Sequence, residues 1–208
     1  MAPVTGDADR TKGERTKAKL LRAACERFAR DGYRGTSVAE VSRDAGVGGT
    51  TAYVHYANKD ALFFAAVDDD LGSLFDELGL ALAALGPEDD LPERLLDLVL
   101  GIVEDHPLAR RLLAGLEPDV TARVLETDAF ADLRVGVATL LAQRQAEGGI
   151  RPDLPPAELA DGLVSIVVAA AMVSVQAGPI VGETFGPGFA TVVRGLLTPD
   201  PRFLGTDA

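Results

Sequence analysis

The sequence predicts an all-α fold, because three features of its residue pattern indicate helices. Apolar residues recur at three- and four-residue spacing through most of the chain, which is the period of one helical face. Glycines and prolines fall between these stretches, where they commonly end one helix or begin the next. No segment shows the alternation of apolar and polar residues that is typical of a half-buried strand. We therefore expect a set of helices joined by short connections.

Length and composition restrict the class of protein. A length of 208 residues suits one long domain or two short ones, and 47% hydrophobic with 25% charged residues is ordinary for a globular chain. The single cysteine excludes an intramolecular disulfide and indicates a reducing compartment. One cysteine and two histidines cannot supply four ligands to a Cys/His zinc site. The first eleven residues are polar, so we expect no secretory signal.

Charge is distributed unevenly along a chain whose net charge is −12. Between Arg10 and Lys59 there are 11 Lys and Arg residues against 5 Asp and Glu, whereas the chain after Lys59 has 9 Arg residues against 25 Asp and Glu. Such asymmetry predicts different partners for the two parts, and the basic part suits phosphate groups. Chance clustering in a small set of residues is the alternative.

The first predicted helix runs from Thr16 to Arg30 and is followed by Gly32 at a C-cap position. One face is apolar and the other is cationic. The apolar face contains Leu20, Leu21, Ala24, Cys25, Phe28 and Ala29, and the cationic face contains Lys17, Lys19, Arg22, Arg27 and Arg30. Because Cys25 lies on the apolar face, we expect it to pack in the core rather than to act as a reactive thiol.

Two short helices follow, joined by a tight turn. Ser37 and Glu40 have the spacing of a capping box, in which side chain and backbone satisfy each other's hydrogen bonds. Gly46 can adopt the left-handed conformation that ends the first short helix. The second starts near Gly48 or Gly49 and continues to Tyr56.

Asn58 is the predicted N-cap of a long helix that Gly86 and Pro87 end. Further helices are predicted over Pro92 to Glu104, Pro107 to Leu116, Pro118 to Glu147, Pro155 to Ala177 and Gly188 to Leu197. The stretch from Gly162 to Gly182 contains no charged residue, which is compatible with a membrane span. No basic cluster flanks it, so we favour a helix buried on one face by its own domain and on the other by a second copy.

Two short helices with a glycine turn inside a basic segment are what a helix-turn-helix motif needs to bind DNA. Small or polar residues at the start of the second helix can meet base edges, and residues one turn later can reach phosphates. The predicted DNA-binding residues are Ser37, Gly49, Thr50, Thr51, Tyr53, His55 and Lys59. For Tyr53 and His55, packing within the domain is the alternative, and for Tyr56 we expect core packing.

The sequence resembles the tetracycline-repressor (TetR) family. The similarity runs through Leu20-Leu21-x-Ala23-Ala24-x-x-x-Phe28, Asp31-Gly32-Tyr33-x-x-Thr36-Ser37, Ala45-Gly46-Val47 and Thr51-x-Tyr53-x-His55-Tyr56-x-Asn58-Lys59-Asp60-x-Leu62. The resemblance implies an all-α homodimer, with a three-helix DNA-binding domain at residues 15–60 and a larger helical effector-binding and dimerisation domain at residues 61–208. Residues 1–14 would then form a flexible basic arm. The last two long helices, Pro155 to Ala177 and Gly188 to Leu197, would form the dimer interface.

The resemblance also implies roles for individual residues. Tyr53, His55 and Lys59 match phosphate-contacting positions, and Ser37 matches a capping hydroxyl. Gly49, Thr50 and Thr51 fall where base-reading side chains usually lie. The sequence departs from the family at Gly48, which replaces a polar cap, and at Gly49, which has no side chain. Recognition is therefore expected to depend more on Thr50, Thr51 and the basic residues Arg10, Lys12, Arg15 and Lys17, which can enter the minor groove.

The expected function is ligand-responsive regulation of transcription, by a repressor that a small molecule releases from a palindromic DNA operator. We expect a cytoplasmic protein that is not an enzyme, without cofactor, metal or membrane partner; an all-α carrier or enzyme on a similar scaffold is the alternative. Candidate effector contacts are Phe64, Phe75, His106, Phe130, Met172 and Gln176, although core packing also explains the apolar ones and a turn or capping role explains His106. For Asp68-Asp69-Asp70 we expect a solvated face rather than a metal site.

Overall fold

The structure, a computed structural model, describes residues 6–86, 89–178 and 180–198, and these ranges contain ten α-helices and no strand. The all-α prediction is therefore confirmed. The helices are α1 (Gly6–Gly35), α2 (Val38–Asp44), α3 (Gly49–His55), α4 (Lys59–Ala83), α5 (Leu91–Val103), α6 (Pro107–Leu113), α7 (Pro118–Val124), α8 (Asp128–Ala146), α9 (Pro156–Ala177) and α10 (Ile180–Leu197).

Several predicted helix boundaries are wrong: α1 continues to Gly35 instead of Arg30, and α6 ends at Leu113 instead of Leu116. Helix α1 begins at Gly6 instead of Thr16, since no proline breaks the chain between them, so residues 6–14 of the predicted arm are helical. The predicted helix from Pro118 to Glu147 is divided into α7 and α8, because the Asp68 carboxylate accepts the N–H of Ala129 and so caps a new helix start. Helix α10 begins before Gly188 and contains Pro187 in its interior. Residues 1–5 lie outside the described residues, and the flexibility of the arm stays a prediction.

The predicted local capping signals are confirmed. The N–H of Glu40 donates to Ser37 Oγ at 3.3 Å, and the N–H of Ser37 donates to Glu40 Oε2 at 2.9 Å, which completes the capping box of α2. Gly46 has a φ of 65°, the left-handed conformation expected after this helix. Asn58 Oδ1 accepts the N–H of Ala61 at 2.8 Å and caps α4.

The hydrophobic core is continuous from the N-terminal helices into the C-terminal ones. In its N-terminal part, Phe28 of α1 and Phe63 of α4 meet edge to face at 5.0 Å between ring centroids. Tyr56 is buried, in agreement with its predicted core role, and Cys25 packs against the same core. Helix α4 packs on α1 and also contacts α5, α6 and α8, so α4 belongs to both parts of the fold.

The prediction of a solvated face for the three consecutive aspartates is wrong for Asp70, which is buried. Its Oδ2 accepts the N–H of Ala109 at 2.8 Å, in the first turn of α6, and its Oδ1 lies 3.4 Å from His106 Nδ1. His106 is the N-cap residue of α6, but its side chain makes no capping hydrogen bond. The Asp70 carboxylate, which lies on α4, therefore caps α6 in place of the His106 side chain. Within the described residues, no group of three or more His, Cys, Asp or Glu side chains could hold a metal ion.

Of the described helices, α9 is long and apolar enough to cross a membrane by length and composition. In this fold one side of α9 packs on α5, α6, α8 and α10, where Leu159, Ala160 and Ala171 are buried. Its other side leaves Ala169 and Val173 exposed. This exposed apolar side is the feature that the sequence predicts for a helix covered by a second copy.

Candidate nucleic-acid interface and effector cavity

Helices α2 and α3 form the predicted helix-turn-helix. Helix α2 is fixed to the core through Val38, Val41 and Ser42. Helix α3 contributes only Ala52 to the buried residues, and Tyr53 and Val54 are 56% and 82% exposed. Because α2 holds α3 through so small a contact, most side chains of α3 are available to a partner.

The start of α3 is thin, as DNA reading requires. Gly48 is the N-cap residue and provides no side-chain hydrogen bond. A Cβ built at Gly49 would have no neighbour within 4 Å among the described residues. Thr50 is exposed and Thr51 is half-buried. The sequence analysis gave no role to Val54, although an 82% exposed valine on this helix is a suitable apolar contact for a thymine methyl group.

The predicted phosphate contacts have different surroundings. Tyr53 is exposed and His55 is half-buried. Lys59 Nζ donates to the carbonyl of Tyr33 at 3.0 Å and lies 4.3 Å from the centre of its ring. The Ser37 hydroxyl is exposed but donates to Glu40 Oε2 at 2.7 Å. Ser37 must therefore exchange the internal contact of its hydroxyl proton for a phosphate, whereas Tyr53 need not. Lys59 can keep its internal hydrogen bond, because an ammonium group has three donors.

The basic segment contains both paired and unpaired cations. Arg27 Nε donates to Asp44 Oδ2 at 2.6 Å, and this hydrogen bond holds the pKa of the Asp44 carboxyl below its usual value. Arg30 and Arg34 pair with Asp31 and Asp119. Among the described side chains, the cations that are exposed and form no ion pair are Arg15, Lys17, Lys19, Arg22 and Arg43. These charges lie on α1 and α2, beside the exposed α3.

The C-terminal helices form an apolar cavity of about 230 Å³ that is partly open to solvent. Its wall is formed by residues of α4 to α10, and three of the predicted effector contacts, Phe75, Phe130 and Met172, belong to it. The remaining lining residues are mainly leucines and valines, which the sequence could not distinguish from ordinary core. Sequence analysis therefore missed most of this wall.

The other three predicted effector contacts lie away from the cavity wall. Phe64 packs against the Arg123 guanidinium, whose Cζ atom lies 4.2 Å from the centre of the Phe64 ring. His106 is buried beside Asp70. Gln176 is exposed and donates to the carbonyl of Leu113 at 2.8 Å.

A buried ion pair connects the cavity helices to α1. Arg111 of α6 donates from Nε to Glu117 Oε1 at 2.7 Å and from Nη1 to the carbonyl of Ala29 at 3.1 Å. The same Glu117 oxygen accepts the N–H of Tyr33 at 3.0 Å. The sequence indicates no role for these residues, because their partners in α1 are more than eighty residues away in the chain.

Comparison with known proteins groups this chain with bacterial regulators. Residues 20–66 match the family model described as bacterial regulatory proteins, tetR family. The HTH-type transcriptional regulator UidR of Escherichia coli is 22% identical over 194 residues, which cover 92% of this chain and 98% of UidR. The HTH-type transcriptional repressor AcnR of Corynebacterium jeikeium is 29% identical over 146 residues, which cover 66% of this chain and 70% of AcnR.

A solved structure shows the same fold. The transcriptional regulator FadR of Bacillus subtilis, in complex with stearoyl-CoA, has a TM-score of 0.64 at 14% sequence identity. The alignment covers 85% of this chain and 96% of FadR. The likeness therefore extends beyond the helix-turn-helix into the domain that contains the cavity.

Proposed function

We propose, from the premise that this chain belongs to the TetR family of DNA-binding transcriptional regulators, that it is a homodimeric repressor released from a palindromic operator by a small molecule. Family membership favours a regulator over an enzyme. The observation that carries the proposal is an exposed α3, joined through α4 to a helical part with an apolar cavity. We assign DNA binding to residues 15–60, effector binding and dimerisation to residues 61–208, and the cytoplasm as the location.

We assign base reading to the start of α3 and phosphate binding to its surroundings. Thr50 and Thr51 would meet base edges, with Gly49 allowing close approach. Tyr53, His55, Lys59 and Ser37 would contact phosphates, which fix the position of α3 in the major groove. Arg15 and Lys17, at the base of the proposed arm, would approach the minor groove.

A second copy would cover the exposed apolar sides of the last two helices. Val173 of α9 and Val192 of α10 are 51% and 54% exposed, and the sequence from Gly162 to Gly182 contains no charge. Pairing of these helices would place two α3 helices on successive major grooves, which are roughly 34–36 Å apart. Val173→Lys should therefore shift the protein to monomers in sedimentation velocity. A monomeric wild-type protein at working concentrations would contradict the proposed dimer.

Release by an effector would follow from a shift between two dimer conformations. A ligand that favours the conformation with wrongly spaced α3 helices lowers the affinity for the operator, and DNA must weaken ligand binding by the same factor. Helices α6 and α7 contribute to the cavity wall and to the ion pair that contacts α1. This shared use of α6 and α7 supports a connection between the cavity and the DNA-binding helices.

Fluorescence anisotropy with DNA from upstream of its own gene tests the proposal. We expect tight binding to one fragment, with affinity falling steeply between 50 and 200 mM salt, as for proteins that make several phosphate contacts. A random duplex of equal length is the control, and we expect it to bind roughly a thousandfold or more weakly. Equal affinity for the two duplexes would contradict sequence-specific regulation.

A further inference from the structure

We infer that the part of the effector that enters the cavity is an uncharged hydrocarbon, such as an alkyl chain or a small apolar ring. The inference rests on the proposed function, which places the effector in this cavity. It adds the chemical class of the effector to that function, because the residues of the cavity wall restrict which ligands can bind.

The cavity wall offers no free polar side chain. Its lining residues are Leu, Val, Phe, Ala and Met, with Thr121 as the single polar side chain among them. Thr121 Oγ1 already donates to the carbonyl of Glu117 at 2.8 Å. A polar or charged ligand group inside the cavity would lose its hydrogen bonds to water without gaining others, which is costly. The wall therefore selects against polar ligand groups.

The cavity also suits hydrocarbon better than water. A water molecule is poorly held against such an apolar wall, since it needs two to four polar partners there. A volume of about 230 Å³ exceeds that of an apolar cavity of roughly 150 Å³ known to bind benzene. It is smaller than the roughly 300–1,000 Å³ typical of drug-sized ligands. The space therefore fits a chain segment or a small ring.

Two lining residues show where the cavity meets solvent. Leu125, directly after α7, is 52% exposed, and Leu140 of α8 is 44% exposed, although both line the cavity. A ligand with one polar end can keep that end in water at these residues while its hydrocarbon part lies inside. A ligand with charges at both ends cannot avoid bringing one of them against the apolar wall.

Isothermal titration calorimetry with straight-chain alcohols tests this class of ligand. We expect 1-hexanol, 1-octanol and 1-decanol to bind with affinities that rise about fourfold per methylene and with a negative heat-capacity change. The matched control is decane-1,10-diamine, which has the same chain with a charge at each end, and we expect at least tenfold weaker binding. Equal or tighter binding of the diamine, or affinity independent of chain length, would overturn the inference.

Three variants locate the binding in the cavity. Thr121→Val removes the single hydroxyl of the wall and should keep the affinity for 1-decanol within twofold. A tenfold loss of affinity would reveal a polar contact and overturn the inference. Val168→Phe fills the cavity and should weaken 1-decanol at least tenfold. Val175→Phe, on the same helix but away from the cavity wall, should leave it unchanged. Equal effects of the two phenylalanine variants would contradict binding in the cavity.

The same alcohols added to the DNA complex separate this inference from the proposed function. If 1-decanol binds in the cavity but the protein stays on the operator, the proposed release by such ligands is contradicted. The inference that the cavity binds a hydrocarbon is then still supported. If a charged compound that leaves 1-decanol bound is what releases the operator, regulation by a small molecule stands and the hydrocarbon inference is overturned.

Discussion

Glu117 and Tyr33 are joined by a hydrogen bond between the cavity-bearing helices and the DNA-binding helices: Glu117 Oε1 accepts the Tyr33 N–H at 3.0 Å. The Tyr33 N–H is available to Glu117 because Gly32, with a φ of 78°, interrupts the regular helix of α1. A Cβ at Gly32 would lie 2.5 Å from Arg111 Nη2 and 2.7 Å from Glu117 Oε1. Glycine at this position thus allows both the backbone turn and the close approach of the ion pair.

We expect Glu117→Gln to lower the free energy of unfolding by roughly 1.5–3 kcal/mol, the range for hydrogen bonds to charged groups. Glu117 is 7% exposed, and the amide would leave the half-buried Arg111 without its carboxylate partner. Asp119→Asn is the matched control, because Asp119 pairs with Arg34 at the surface, with side chains 62% and 84% exposed. Its loss should cost less than about 1 kcal/mol. Equal shifts of the two variants in urea denaturation would contradict the structural role of Glu117.

Lys59→Ala and Thr50→Ala should affect DNA binding in different ways. A lysine that contacts phosphate contributes to affinity on every sequence, so Lys59→Ala should weaken all duplexes and reduce the salt slope by about one. Thr50→Ala should instead change the ranking of operator variants, because Thr50 lies at the exposed start of α3. Anisotropy titrations over a salt series measure both effects.

Arg94→Ala is the control for charge in that experiment, because Arg94 pairs with Asp89 in the C-terminal part. It should leave the salt slope unchanged. Since Lys59 also donates to the Tyr33 carbonyl, urea denaturation of Lys59→Ala should accompany the titration. If Lys59→Ala and Thr50→Ala act alike on operator ranking and salt slope, the assigned roles are wrong.

Local signals were predictable from the sequence, and contacts between distant residues were predictable only in part. The capping box of Ser37 and Glu40 depends on residues three apart, so their identities suffice to predict it. Asp70 caps α6 from 39 residues away. A signal for its burial existed, because Asp70 follows Phe63 and Val67 at helical spacing and so lies on the buried stripe of α4. The prediction missed this signal because it assigned Asp68, Asp69 and Asp70 together to one solvated face.

The candidate sites divide in the same way. The position of α3 and its exposed start were predictable, because a short local motif specifies them. The cavity wall was not, because a leucine that lines a cavity and a leucine packed in the core have the same periodicity. Phe75 and Phe130 line the cavity, whereas Phe64 packs against Arg123 outside it. Only the relative placement of α4, α7 and α8 distinguishes these phenylalanines.

Acid should destabilise the DNA-binding helices through Asp44. The hydrogen bond from Arg27 lowers the pKa of Asp44 below its ordinary value of 3.8. A carboxyl whose pKa is lowered by folding contributes stability above its unfolded pKa and loses it as the pH falls through the folded pKa. We therefore expect the free energy of unfolding to fall below about pH 4 and Asp44→Asn to flatten that decrease.

Urea denaturation from pH 6 to pH 2.5 measures this dependence. Asp97→Asn is the control, because the exposed Asp97 has no ion-pair partner among the described residues. It should leave the shape of the acid decrease unchanged. An Asp44→Asn protein that loses stability with acid as steeply as the wild type would exclude this pair as a source.

Cys25 should resist alkylation in the folded protein. Burial, followed by the charge of Asp70 and its hydrogen bond with the thiol, raises the pKa of Cys25 from 9.0 to about 12, and the Sγ to Asp70 Oδ1 distance is 3.5 Å. The thiolate is the reactive form. At pH 8 the thiolate fraction of Cys25 in the folded protein is therefore about a thousandfold smaller than that of an unperturbed thiol.

Mass spectrometry after iodoacetamide treatment should show slow labelling of Cys25 without urea and fast labelling in urea. Asp70→Asn should label faster than the wild type but more slowly than the unfolded chain, because burial, the larger cause, remains. Asp69→Asn, at the exposed neighbouring position, should differ little from the wild type, and equal acceleration by both variants would show that Asp70 has no specific effect on the thiol.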